Sequence, residues 1–222
     1  MKKLLIFVGL LVISVSQAQI SEPGHIAQAL KRSITLDADM SDWEGLPRYE
    51  VALSNTEEPS TFEQAGYFSV AWDDAFLYVM AVFRQPQDSL TIGLGEDAEE
   101  WWLGDTFELF IRFADGQDAL HYAANPDGAR YKAFLTSNDF EVLSAIEEER
   151  WMVELAFPLA KQDLLAIETG DAWAFKVGRG FHSAQEFSLW PMGGDFLAED
   201  NYGLIYFTEQ IESDTVLFDR LK

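Results

Sequence analysis

The feature that most limits what this chain can fold into is an alternation of apolar and polar side chains, repeated in short runs with turn signals between them. Alternation at period two puts successive side chains on opposite faces of a strand, and it fits no helix. Residues 67–72 and 76–83 flank the pair Asp73-Asp74 and predict a hairpin. Further strands are expected over 105–113, 120–124, 129–135, 140–146, 151–157, 173–181, 186–190 and 202–207. Asn125-Pro126-Asp127-Gly128 is a turn, with Pro and Gly where a turn wants them. Helix is expected only at 158–165, with Pro158 at its first position, and as a short turn within 39–46. The pattern predicts an all-β chain: an antiparallel two-sheet β-sandwich, jelly-roll-like, with one or two short helices.

Residues 1–18 read as a signal peptide. Lys2 and Lys3 precede the apolar run 4–15, and Ser16-Gln17-Ala18 supplies small residues for cleavage before Gln19. The expected organisation is then a lead segment over 19–33, one domain over 34–208, and a charged tail over 209–222 that frays or packs late. This predicts a secreted or periplasmic bacterial protein with no membrane insertion after signal cleavage. Cysteine is absent, so disulfides, zinc–thiolate sites and thiol nucleophiles are excluded.

Fifteen basic residues against 38 acidic ones give a formal charge of −23. Such a chain repels phosphate backbones, and nucleic acid is not an expected partner. No Ser-His-Asp arrangement and no glycine-rich phosphate loop is legible. Asp105 and Glu108 stand three apart in a predicted strand, on opposite faces, and cannot flank one glycosidic bond. The reading is therefore not an enzyme. Met80, His121, His182 and Met192 are the residues that a haem would need, and each has an ordinary structural role open to it.

The most informative segment is 96–108, in which Trp101 and Trp102 sit in an acidic loop that leads into a strand. An indole in a polar loop offers a flat apolar face on which the C–H face of a pyranose stacks, and carboxylates accept from its hydroxyls. One of the two, Trp101, can instead fold back as a plug. A second aromatic and polar loop, Trp190-Pro191-Met192-Gly193-Gly194-Asp195-Phe196, precedes the last strand.

Six fragments in order resemble the family 9 carbohydrate-binding modules and related sugar-binding domains. They are Ile34-Thr35-Leu36-Asp37 with Trp43, Val70-Ala71-Trp72-Asp73 with Leu77-Tyr78-Val79, Trp102-Leu103-Gly104-Asp105-Thr106-Phe107-Glu108, Tyr122-Ala123-Ala124-Asn125, Trp151-Met152-Val153-Glu154 and Tyr202-Gly203-Leu204. The resemblance implies an antiparallel sandwich that binds the ends of sugar chains. It places two aromatic platforms on Trp102 and Phe196 and a hydroxyl-binding carboxylate on Glu108. An arginine of the sugar-binding members is Ala123 here; Arg179 supplies a cation instead or pairs with an acid. Asn125 binds the ligand or caps its turn, and Trp190 is a further candidate. The resemblance also leaves a structural calcium open. Asp88, Glu96, Asp97 and Glu99, or Asp73 and Asp74, offer the oxygens such an ion takes, with no spacing that fixes ligands. The function expected is an exported, non-catalytic carbohydrate-binding protein. The alternatives are an interaction domain of the same family, with a protein partner at the cell surface and no sugar binding, and a haem-binding relative.

Overall fold

The computed structural model describes residues 25–53, 66–93, 95–96, 98–112, 119–133, 139–162, 166–193, 197–198 and 201–221. The proposed signal peptide, 1–18, lies outside them. Among the described residues are β1 (Ile26–Lys31), β2 (Tyr49–Leu53), β3 (Gly66–Trp72), β4 (Phe76–Arg84), β5 (Thr106–Arg112), β6 (Leu120–Ala124), β7 (Arg130–Ala133), β8 (Glu141–Glu147), β9 (Arg150–Pro158), β10 (Ala172–Phe181), β11 (Glu186–Trp190), β12 (Gly203–Thr208) and α1 (Asp214–Leu221).

The all-β class holds, but the expected pair of sheets is one continuous, barrel-like sheet in the order β7-β6-β5-β10-β11-β2-β3-β4-β9-β8. The reason is strand length. β10 pairs with β12 along its first half and with β11 along its second. β3 pairs with β2 at its start and with β1 at its end. Two short bridges, β11–β2 and β12–β1, thus join β10 to β3 side by side. β1 runs parallel to both of its neighbours, against the antiparallel expectation.

Alternate residues face one shared interior. Phe68, Val70 and Trp72 of β3, Phe107, Leu109 and Ile111 of β5, and Phe175 and Val177 of β10 are all buried in it. Rings meet across it from strands far apart in the sheet order: Phe83 and Phe107 lie 6.1 Å apart, and Tyr122 and Phe157 4.6 Å. Each such ring contributes about 1.5–3 kcal/mol by leaving water.

The outer face is covered in places. Ile34, Trp43 and Leu46 pack over Tyr78, Met80 and Met152. This cover is fastened by the buried Glu154, which accepts from Trp43 Nε1 at 2.7 Å, Ala38 N at 2.8 Å and Asp37 N at 3.1 Å. The expected turn within 39–46 is a 3₁₀ turn over Met40–Trp43, capped by Asp39 accepting from Ser41 N. The other, Leu159–Gln162, is also a 3₁₀ turn and begins after Pro158. The tail does not simply trail: α1 buries Leu217 against Ile26 and Tyr206. Among the described residues no helix is long and apolar enough to cross a membrane.

Candidate functional site

A cleft of about 170 Å³ opens on the outer face of β5 and β10. The turn Trp101–Leu103 builds its rim. Gly104 lets this turn lie against the preceding loop, since a side-chain carbon there would come within 2.5 Å of the Gly93 backbone. Consecutive residues of so tight a turn point apart, which decides the fates of the two indoles. Trp101 is buried, stacked on Tyr131 at 5.5 Å. Trp102 is 56% exposed and meets Trp101 edge to face at 5.9 Å.

Glu108 forms the floor, 4% exposed. One of its oxygens lies 2.7 Å from His121 Nε2, and the other accepts from Thr106 Oγ1 at 3.1 Å. Across the ladder, Glu108 faces Gly178 of β10 and Thr106 faces Gly180. Glycine at 180 matters because a side-chain carbon there would sit 2.7 Å from Thr106 Oγ1. The turn from β10 to β11 completes the cleft with His182, Gln185 and Phe187. Phe187, 43% exposed, pairs with Gly180 and so shares its face.

Behind the cleft, a buried polar knot ties the loops together. Asp105 accepts from Gln85 Nε2 at 2.7 Å and from Thr91 N and His182 N at 2.8 Å each. Gln85 Oε1 in turn accepts from Arg179 Nη2 at 2.7 Å. A buried carboxylate with three donors holds three segments of chain in one geometry.

The sequence-predicted residues fall into two groups. Trp102 and Glu108 come together in the cleft. Arg179 does not: it shares the inward face with Phe175 and Val177 and lies between Phe83 and Phe181, 5.0 Å from each ring. Burial pulls its guanidinium down to about 10, against the pull of Asp105 and Glu186. Asn125 is buried in its own turn, donating to Tyr131 Oη and accepting from Asp127 N and Ala129 N. Trp190 packs in the core against Tyr49 and Phe68. Phe196 lies outside the described residues. Of the haem candidates, Met80 is buried under the outer cover, and His121 is bound to Glu108.

No set of three or more carboxylates or imidazoles converges on a metal position among the described residues. Glu96 pairs with Arg130, and Asp73 accepts from Ser33, Ala75, Phe76 and Tyr78. Asp97 lies outside the described residues.

His182, Gln185 and Phe187 were not foreseen as cleft residues, nor His121 as the partner of Glu108. The available signal was parity: Phe187 is three residues from Trp190 and therefore on the opposite face.

The backbone shape bears on the family resemblance. A carbohydrate-binding module of family 9 from Caldicellulosiruptor kristjanssonii, solved in complex with cellotriose, superposes with a TM-score of 0.65 at 17% identity, over 84% of this chain and 95% of that one. The fold is that of the family 9 carbohydrate-binding modules. The same module in complex with glucose gives a TM-score of 0.65 over 85% and 98% of the two chains at 17% identity. A putative carbohydrate-binding protein from Bacteroides uniformis gives 0.64 over 82% and 98% at 14% identity. No protein-family model and no curated protein matches the sequence. The family 9 likeness is thus carried by backbone shape.

Proposed function

We propose that the chain is an exported, non-catalytic carbohydrate-binding protein that seats a pyranose unit in the cleft beside Trp102. The observation that carries this is the pairing of a solvent-facing indole with a buried carboxylate in one cleft. The apolar C–H face of the sugar stacks on Trp102, and its hydroxyls donate to Glu108. Thr106, His182 and Gln185 add polar partners. Phe187 offers a second aromatic wall; the family resemblance assigns that part to Phe196. With Ala123 in place of an arginine, the floor relies on the carboxylate alone among the charged groups that line the cleft.

Binding without hydrolysis is favoured because glycoside cleavage needs two carboxyl groups about 5–10 Å apart. Asp105, the nearest acid in sequence, faces the interior knot rather than the cleft. Export rests on the Lys2-Lys3 and apolar pattern of residues 1–18.

The test is titration calorimetry of the secreted protein with cellotriose, glucose and xylo-oligosaccharides. Micromolar to millimolar binding is expected, as for modules that act through proximity and multivalency. Trp102→Ala removes one stacking face and should weaken binding by about 1–2 kcal/mol, roughly five- to thirtyfold. Binding unchanged in Trp102→Ala removes this site, and no binding to any glycan overturns the function.

A further inference from the structure

We infer that His121 is a positioning residue for the cleft: it sets the orientation of the Glu108 carboxylate and ties it to the aromatic rim. The inference rests on reading the cleft as a sugar site. Glu108 is directly opposite Ala123 in the β5–β6 ladder, and His121 is opposite Phe110. The histidine therefore reaches Glu108 along the diagonal, a path left open by the small Ala123 side chain. The two side chains meet at 2.7 Å, 5% and 6% exposed.

The imidazole is itself held. It stacks on Phe110 at 4.0 Å with 18° between the planes, and Trp101 meets it edge-on at 5.7 Å. Trp101 is pinned on its other side by Tyr131 and touches Trp102. A contiguous chain of contacts, Glu108–His121–Trp101–Trp102, thus joins the hydrogen-bonding floor to the stacking platform. A carboxylate has about four lone-pair positions. His121 and Thr106 take one each, on different oxygens, and the positions that remain are fixed in direction for sugar hydroxyls.

A fold has little need of such a pair for its stability. Replacing both members of a buried polar pair by apolar groups of similar volume is often neutral, although removing one member alone is destabilising. What the pair supplies is aim, and a carboxylate held within a small angular range recognises a hydroxyl better than one free to rotate.

The test is a double-mutant cycle of affinity for cellotriose, with thermal unfolding measured beside it. His121→Phe keeps a flat ring between Phe110 and Trp101 and removes the nitrogen that meets Glu108. It should weaken binding about tenfold in the wild-type background and by less than about twofold in Glu108→Gln, where the carboxylate is already gone. His121→Gln, which retains an N–H donor, should recover a large part of the loss while unfolding no later than His121→Phe. Equal losses in both backgrounds overturn the inference, since the histidine would then act apart from Glu108. Wild-type binding retained by His121→Phe also overturns it and leaves the sugar site standing. A wild type that binds no glycan removes the site and this role together.

Discussion

Replacing Asp105 by Asn tests whether the knot behind the cleft depends on charge or only on shape. The two side chains are isosteric, so no cavity is made. The carboxylate accepts three hydrogen bonds, two on one oxygen from Gln85 and Thr91 and one on the other from His182 N. An amide can present its oxygen to one side only. The less costly orientation keeps Gln85 and Thr91 and turns an NH₂ group toward the His182 N–H, donor against donor. Gln85 cannot compensate by flipping, because its Oε1 accepts from Arg179. A hydrogen bond to a charged group is worth about 1.5–3 kcal/mol, and a buried donor left without an acceptor costs a similar amount. The substitution also removes a negative charge that acts favourably on the buried Arg179. The expected loss is about 3 kcal/mol, which for a chain of this size lowers Tm by roughly 6–12 °C. Urea unfolding of wild type, Asp105→Asn and the exposed control Asp88→Asn measures it, the control staying within about 0.5 kcal/mol. Freed from Asp105, the His182 lip should also bind sugar less tightly. Stability of Asp105→Asn within about 1 kcal/mol of wild type would refute the reasoning.

Two further outcomes are expected. Gly180→Ala drives a methyl toward Thr106 Oγ1, costs about 1–3 kcal/mol through overpacking, and weakens sugar binding by displacing the hydroxyl that Glu108 accepts; calorimetry and thermal unfolding read both effects, and unchanged affinity argues that the floor is not used. Burial lifts the Glu154 carboxyl above its ordinary 4.5, against the hydrogen bonds from Trp43, Ala38 and Asp37. A folded value above the unfolded one gives a contribution that is full below about pH 4.5 and is lost as pH rises through the folded value. Wild type should therefore lose stability relative to Glu154→Gln between pH 4 and 8 in urea titrations, and a gain with rising pH would contradict the assignment.

The sequence by itself determined the strand class, the hairpin from β3 to β4, the turn at Asn125 and the pairing of Trp102 with Glu108 as candidates. These rest on local chemistry: alternation within one strand, turn residues at fixed offsets, and an indole in an acidic loop. Trp102 reaches the cleft through a 3₁₀ turn. Only the tertiary structure decided the rest, because it depends on which strand lies beside which. β1, Ile-Ala-Gln-Ala-Leu-Lys, carries a weak strand pattern and is extended because two parallel neighbours complete its hydrogen bonds. Arg179 and Glu108 lie on adjacent strands, but the register pairs Glu108 with Gly178, so the arginine points into the core and the carboxylate into the cleft. Phe187 enters the site, and His121 reaches Glu108, by the same logic, through pairing across β10–β11 and β5–β6. A strand fixes which of its residues share a face; only its partners fix which of the two faces meets water and what stands opposite.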